Sequence, residues 1–142
     1  MATINPYLNF PGTAEEAFTL YKSVFGGEFL GVNRLGDMTD NDKLPADAKN
    51  KIMHIALPIG NGNILMVSDA PSSMGFTVTE GNNFFISVNV DSKEKADRVF
   101  AGLSEGGKIQ IPLADMFWRA YYGSFFDKFG IGWMVSYELP KK

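Results

Sequence analysis

The clearest candidate for acid–base chemistry is His54, the only histidine in the chain. It lies in the apolar stretch IMHIALPIG. An imidazole titrates near neutral pH, so His54 is a candidate catalytic residue, as a proton acceptor, or a ligand contact. The alternative is a strand histidine that hydrogen-bonds across the sheet. We favour this alternative because one histidine cannot build a zinc site and buried polar groups are normally bonded.

A second group of side chains is suited to binding rather than catalysis. Residues 117–126 contain six aromatic side chains around Arg119: Phe117, Trp118, Tyr121, Tyr122, Phe125 and Phe126. Strand alternation would place Tyr121 and Phe125 on one face and Tyr122 on the other. Part of this cluster should form core or dimer contacts. The rest could line an apolar pocket for a small organic molecule, with Met66, Trp133 and Met134 nearby.

Other patterns suit chemistry less well. The chain has no cysteine, which excludes thiolate catalysis. Asp37, Asp40 and Asp42 lack the glycine and distal glutamate of a calcium loop, so we interpret them as solvated loop charges. The Gly60-Asn61-Gly62 string falls between two predicted strands and has no helix N-terminus with which to bind a phosphate or cofactor. Glu28 and Asp69 are possible acids near a pocket, although surface or turn roles fit them better.

Composition narrows the classes of protein that the chain can belong to. Its 142 residues, 45% hydrophobic and 20% charged, suffice for one core. The net charge of −3 and the lack of a clustered basic face argue against a nucleic-acid partner. No apolar run approaches the length of a membrane span, and no leader pattern opens the chain, so we expect no membrane partner and a cytoplasmic protein.

The elements that must position these residues occur twice. Residues 13–27 and 92–107 both read as a capped amphipathic helix that ends in a glycine pair, and Met66-Val67-Ser68 recurs as Met134-Val135-Ser136. Hydrophobic periodicity predicts strands at residues 4–10, 28–35, 51–59 and 63–69 in the first half. It predicts strands at residues 84–90, 108–113, 119–126 and 131–139 in the second half.

Turn and cap residues complete the predicted elements. Thr13 with Glu16 predicts a capping box, Ser92 predicts the second helix start, and Asn61 predicts a tight hairpin. These elements predict the α+β class, with two βαβββ modules in tandem whose helices cover one face of each mixed sheet and leave the other face to close around something. We expect a single domain, residues 1–142, made of modules 1–70 and 83–140 with a linker at 71–82.

Four stretches carry a resemblance to a known family. They are YLNFPGTAEEAFTLYKSVFGGEF, IMHIALPIGNGNILMVSD, GGKIQIPL and FFDKFGIGWMVS. Together they resemble the vicinal-oxygen-chelate superfamily, which includes glyoxalase I, extradiol dioxygenases and bleomycin-resistance proteins, and within it the PhnB-like branch. The resemblance covers essentially the whole chain. It implies that paired βαβββ modules form a curved mixed sheet around a cavity and that the protein is a homodimer. It leaves the reaction open.

The resemblance also implies where a metal would bind. Metal-using members take one His, Gln or Glu from the first and last strand of each module. By strand position these places fall at Asn5, Met66, Phe85 and Met134, none of which is a good ligand for a hard divalent ion. We therefore expect no metal site and no cofactor.

Two functions remain open. The first is a metal-independent small-molecule binding protein with an apolar cavity lined by Asn5, Tyr7, His54, Met66, Phe85, Trp118, Tyr122 and Met134. The second is a metal-dependent lyase, isomerase or dioxygenase of the same superfamily. Whether the chain is an enzyme, and what its organic ligand is, the sequence does not say.

Overall fold

A computed structural model of the chain describes residues 2–37 and 44–140, so Asp40 and Asp42 of the acidic loop lie outside the described residues. The chain divides into two compact units, with the boundary between Thr79 and Glu80. Unit one contains β1 (Tyr7–Phe10), α1 (Ala14–Phe25), β2 (Gly31–Arg34), β3 (Ile52–Gly60) and β4 (Asn63–Asp69). Unit two contains β5 (Ile86–Asn89), α2 (Lys93–Ser104), β6 (Lys108–Asp115), β7 (Ala120–Phe126) and β8 (Gly132–Glu138).

The two sheets have the same topology. Unit one has the strand order β1-β4-β3-β2 and unit two has β5-β8-β7-β6. In each sheet the outer pair formed by the first and last strands is parallel and the other pairs are antiparallel. The tandem βαβββ modules predicted from the sequence are therefore confirmed.

The repeated Met-Val-Ser triplet occupies the same place in both sheets. Residues 66–68 of β4 pair in parallel with residues 7–9 of β1. Residues 134–136 of β8 pair in parallel with residues 87–89 of β5. The sequence repeat is thus a structural repeat, and positions in one sheet can be matched to positions in the other.

Each helix covers one face of its own sheet. The buried positions of α1 are Ala14, Ala17, Phe18 and Tyr21, and those of α2 are Ala96, Val99, Phe100 and Leu103. Against α1, Leu65 and Val67 of β4 are fully buried. Because side chains alternate along a strand, the intervening residues of β4 lie on the other face, which we call the helix-free face.

The two cores fill one matched position differently. Ile55 of β3 pairs with Val67, and Gly123 of β7 pairs with Val135 in the same way. A Cβ placed on Gly123 would lie 2.7 Å from the ring of Phe100 and 2.8 Å from the Ile111 carbonyl oxygen. Phe100 therefore occupies the space that a side chain at residue 123 would need.

The capping box predicted at Thr13 is wrong. Thr13 makes no side-chain capping bond, and its backbone (φ −111°, ψ 17°) is outside the extended region typical of such caps. Instead the Ala14 N–H donates to Oδ1 of Asp69 over 2.9 Å, because a buried carboxylate at the end of β4 is a stronger acceptor than a hydroxyl. In unit two the predicted cap is confirmed: the Lys95 N–H donates to Oγ of Ser92 over 3.1 Å.

Several strands begin later than predicted. The first strands of the units begin at Tyr7 and Ile86 rather than at residues 4 and 84, and β2 begins at Gly31 rather than at residue 28. Pro6 has no N–H to give to a ladder, which limits pairing before Tyr7. The hairpin turn is confirmed, with positive φ at Asn61 and Gly62. Within the described residues, no helix is long and apolar enough to cross a membrane.

Candidate functional site

The helix-free face of unit one brings together three of the predicted site residues. Tyr7 of β1 is the register partner of Met66 of β4, and the Tyr7 and His54 ring centroids are 6.0 Å apart. His54 is half-buried, and its cross-strand partner on β2 is Asn33. Asn5 lies two residues before β1 and is also half-buried. This face thus combines an imidazole, a phenol and an amide around a thioether.

A further polar contact lies on this face, near the end of β1. The Ser68 hydroxyl of β4 donates to Oδ1 of Asn9 over 3.0 Å. Asn9 and Tyr7 alternate with buried residues of β1, so both lie on the helix-free face.

The helix-free face of unit two is mainly aromatic. Tyr122 of β7 pairs with Ser136 of β8, and Met134 pairs with Ser124. The Trp118 ring lies edge-on to Tyr122 with centroids 5.6 Å apart. At the other end of β7, Phe126 and Phe85 have centroids 5.2 Å apart.

The opposite face of β7 packs against α2, so the aromatic cluster divides between two roles. Phe125 is fully buried, and its ring is 4.8 Å from that of Phe100. The Tyr121 hydroxyl donates to Oδ1 of Asp97 over 2.5 Å. This hydrogen bond, together with desolvation and the nearby carboxylate charge, raises the pKa of Tyr121. The alternation predicted for this strand is confirmed by these contacts.

Trp133 does not lie on the helix-free face beside Met134, where the sequence placed it. It is fully buried, and its indole N–H donates to Oδ2 of Asp127 over 2.9 Å. Oδ1 of the same carboxylate accepts the N–H groups of Phe129 and Ile131. Asp127 was not among the candidate residues of the sequence analysis. Its signal is the Asp-Lys-Phe-Gly turn, in which an aspartate typically accepts the N–H two residues on.

The two other acidic candidates have structural roles. Glu28 is exposed, and its carboxylate lies 3.1 Å from the ammonium of Lys22. Asp69 is buried, and it accepts the Ala14 N–H and, through Oδ2, the Ile52 N–H over 2.8 Å. It therefore joins the start of α1 to the start of β3.

Asn5 and Phe85, proposed from the sequence as metal positions, are not the register partners of Met66 and Met134. Opposite Met66 lies Tyr7, and opposite Met134 lies Ser87. Asn5 and Phe85 precede their strands, because the strands begin later than the sequence predicted. A thioether beside a phenol in unit one, and a thioether beside a hydroxyl in unit two, are each a poor ligand pair for a hard divalent ion. Across residues 2–37 and 44–140, no three His, Asp or Glu side chains gather as a metal site would require.

Unit two contains a surface pocket of about 580 Å³ at one end of its helix-free face. Its lining consists of Glu80, Gly81, Asn82, Lys108, Gln110, Phe126 and Gly130. The sequence analysis did not identify this pocket, because its two walls come from segments far apart in the chain. Phe85, one of the predicted site residues, lies next to this pocket, and its ring contacts the ring of Phe126 in the lining.

A polar pocket of about 470 Å³ lies at the start of α1 in unit one. There the guanidinium of Arg34 binds both carboxylate oxygens of Glu15, at 3.0 and 2.7 Å, and the Asn50 carbonyl at 2.8 Å. The hydrogen bond from Arg34, with a smaller coulombic contribution, holds the pKa of Glu15 below its ordinary value despite some desolvation. These bonds connect α1 to β2, and we assign them a structural role.

Comparison with known proteins gives consistent results. The model of the family described as 3-demethylubiquinone-9 3-methyltransferase matches residues 2–136. Protein PA1353 from Pseudomonas aeruginosa is 40% identical, with a TM-score of 0.85, over 99% of this chain and 100% of that one. The PhnB protein from Bacillus cereus is 26% identical, with a TM-score of 0.78, over 96% of this chain and 99% of that one.

A more distant structure shows the fold alone. A glyoxalase/bleomycin resistance protein/dioxygenase family enzyme from Burkholderia phytofirmans is 16% identical, with a TM-score of 0.61. The alignment covers 94% of this chain and 97% of that one. The α+β class predicted from the sequence is therefore confirmed as the glyoxalase/bleomycin-resistance-like fold.

Proposed function

The chain belongs to the family described as 3-demethylubiquinone-9 3-methyltransferase, in the PhnB-like branch of the vicinal-oxygen-chelate superfamily, and on this premise we propose that it is a metal-independent small-molecule binding protein. Its ligand is a planar organic molecule. The observation that supports this most directly is the set of side chains at the superfamily's metal positions. By the resemblance, two of these positions are Met66 and Met134, and a thioether is a poor ligand where an anionic or imidazole donor is expected. Their register partners, Tyr7 and Ser87, do not supply such a donor either.

The proposed binding surfaces are the helix-free faces of the two units. The eight residues proposed to line these surfaces are Asn5, Tyr7, His54 and Met66 in unit one and Phe85, Trp118, Tyr122 and Met134 in unit two. Aromatic rings and methionine side chains offer flat, polarisable surfaces, and the few polar groups among them can orient a ligand.

We do not propose methyl transfer, although the family description names it. The glycine string of residues 60–62 forms the turn between β3 and β4 rather than the entry to a helix. A backbone turn between two strands lacks the N-terminal N–H groups that a cofactor phosphate or carboxylate would bind.

The metal-dependent lyase, isomerase or dioxygenase remains the second candidate, because His54 lies beside Tyr7 and could serve as a proton acceptor. Elemental analysis of protein purified without chelator separates the two candidates. We expect zinc, nickel, iron and manganese each well below one ion per chain. Close to one ion per chain would support the enzyme.

Tryptophan fluorescence tests ligand binding directly. Trp118 is half exposed beside Tyr122, whereas Trp133 is fully buried, so a ligand on the helix-free face should change the Trp118 signal. We expect aromatic compounds to change the emission of the intact protein and to have no effect on the Trp118→Phe variant. Replacing Phe76, an exposed ring in unit one, by Leu is the matched control and should preserve the response. A broad aromatic screen with no response from the intact protein would contradict the proposal.

We also propose that the chain forms a homodimer. Edge strands carry unpaired backbone groups that can pair with a second chain. On the edge strand β6, about half of the Ile109 surface and more than a third of the Ile111 surface are exposed. Light scattering at micromolar concentration should find the mass of two chains. A monomer at that concentration would exclude the dimer without affecting the fold.

A further inference from the structure

The pocket of unit two has two walls of different chemistry. On the sheet wall, Lys108 and Gln110 of β6 line the pocket together with Phe126 of β7, which is the register partner of Lys108. The register of β6 shifts between Ile109 and Ile111, so the shared lining rather than regular alternation groups these side chains. The rest of the lining consists of residues 80–82 and Gly130, and its charged group is the carboxylate of Glu80. A cation, an amide, a ring and a carboxylate thus line one pocket of about 580 Å³.

Gln110 is held so that it presents a donor. Ser124 is almost completely buried, and its hydroxyl donates to Oε1 of Gln110 over 3.0 Å. With its carbonyl oxygen engaged by Ser124, the amide offers Nε2 to the pocket. Lys108 and Gln110 therefore form a donor pair suited to a carboxylate.

Gly130 lets Glu80 lie at the opposite wall. A Cβ on Gly130 would be 2.6 Å from Cδ of Glu80 and 2.7 and 2.9 Å from its two oxygens. In this arrangement the carboxylate lies closer to the Gly130 backbone than a side chain at residue 130 would allow without moving Glu80. The negative charge of Glu80 is therefore brought against the pocket wall rather than directed away from it.

From this arrangement we infer that the pocket selects planar aromatic molecules that carry a carboxylate at one end and a protonated amine at the other. The carboxylate binds Lys108 and Gln110, the ring stacks on Phe126, and the ammonium faces Glu80. This inference rests on the proposed function, and it specifies the ligand class. The pocket also has no net charge from Lys108 and Glu80, which suits a zwitterion rather than a simple acid or base.

Four probes built on one benzene ring test this selection: 4-(aminomethyl)benzoate, benzoate, benzylamine and benzyl alcohol. Isothermal titration calorimetry should rank 4-(aminomethyl)benzoate first, roughly tenfold tighter than benzoate or benzylamine, because each lacks one charge-assisted contact. Benzyl alcohol should bind weakest. Equal affinity for all four would overturn the inference while leaving the proposed function intact. Failure of all four, with no response in the fluorescence screen, would count against both.

Variants of Lys108 and Glu80 test which charged group of the probe each residue binds. Lys108→Met should abolish the advantage of the carboxylate probes, and Glu80→Gln should abolish that of the amine probes. The controls are Lys95→Met and Glu94→Gln, two exposed side chains of α2 that are absent from the pocket. Thermal unfolding confirms that each variant is folded. If the Lys108 and Lys95 variants rank the probes identically, the sheet wall does not bind the carboxylate and the inference fails.

Discussion

Unit one and unit two place different side chains at matched positions of the same four-stranded sheet. Tyr7 in β1 matches Ser87 in β5, because each is the register partner of the methionine in its Met-Val-Ser triplet. Counting from the same triplet, His54 matches Tyr122. Unit one therefore has a phenol and an imidazole where unit two has a hydroxyl and a phenol. The strand order is preserved while the chemistry on it differs, so the fold alone does not determine what either face binds.

The units also differ in how buried carboxylates hold them together. Asp69 joins the start of α1 to β3 in unit one. Asp127 holds the turn between β7 and β8 and the Trp133 indole in unit two. Among the residues that the structure describes, each unit has one such aspartate, at a different point of the module.

Replacing the buried aspartates should give the largest effect on stability. We expect Asp127→Ala and Asp69→Ala each to lower the free energy of unfolding by about 2 to 4 kcal/mol, because buried N–H groups lose a charged acceptor. Urea unfolding followed by circular dichroism measures this. The controls are Asp47→Ala and Asp91→Ala, at exposed positions in units one and two, which should change stability by less than about 0.5 kcal/mol. A loss no larger than in the controls would mean that water replaces these bonds at little cost.

Replacing the matched residues His54 and Tyr122 compares the two helix-free faces as ligand surfaces. Tyr122→Ala should weaken binding of an aromatic probe by roughly tenfold, since an aromatic pair contributes on the order of 1 kcal/mol beyond its buried area. His54→Ala should weaken it by less. Calorimetric titration with an aromatic compound that changes the Trp118 emission gives both values. The reverse order would place the ligand on unit one and make His54 the principal contact.

The helix starts provide a smaller contrast. Ser92→Ala should cost about 1 kcal/mol, because the Lys95 N–H loses its side-chain acceptor. Thr13→Ala should cost only a few tenths of a kcal/mol at most, because Asp69 rather than Thr13 caps α1. Thermal unfolding of the two alanine variants, side by side, is the measurement. Equal losses would show that Thr13 caps α1 in solution.

The smallest expected effects are opposite pH dependences of two helix-to-sheet bonds. The lowered pKa of Glu15 means that its bond to Arg34 stabilises the protein above the ordinary carboxyl pKa, and that this stabilisation is lost as pH falls through the lowered pKa. The raised pKa of Tyr121 means that its bond to Asp97 stabilises below the ordinary phenol pKa and is lost as pH rises through the raised one.

Both bonds are largely solvated, so after screening each should contribute no more than about 0.5 kcal/mol. Glu15→Gln should flatten the acid limb of the stability curve and Tyr121→Phe the alkaline limb. Unfolding measured from acid to alkaline pH tests this. Any variant that flattens the other limb would contradict the assignment.

Local periodicity was enough to predict the architecture but not the contacts that cross it. The repeat of helix and triplet, the Ser92 cap and the Asn61 turn follow from short-range patterns, and all are confirmed. Asp69 was missed as a core residue because its partners, Ala14 and Ile52, lie 55 and 17 positions away along the chain. Trp133 was misplaced because the sequence does not show that Asp127 satisfies its indole in the core.

For the candidate site, too, residue types could be read from local sequence, whereas contacts between distant segments could not. The register partners of Met66 and Met134 lie two residues from the positions taken from the sequence, because strand starts are set by pairing rather than by residue type, as at Pro6. The pocket lined by Lys108 and Glu80 depends on segments that only the folded unit brings together. The expectation that good metal donors are lacking beside Met66 and Met134 rests on residue types and does not depend on the exact register.

The close packing at Gly123 has an evolutionary consequence. If the two halves descend from one ancestral half-length gene, the ring of Phe100 and the absent side chain at residue 123 are a matched pair of changes. Copying the codon for Ile55 into the second half would force a branched side chain against Phe100 and the backbone of β6. Recombination between the halves would then produce defective chains. This packing would favour continued divergence of the two halves over their homogenisation.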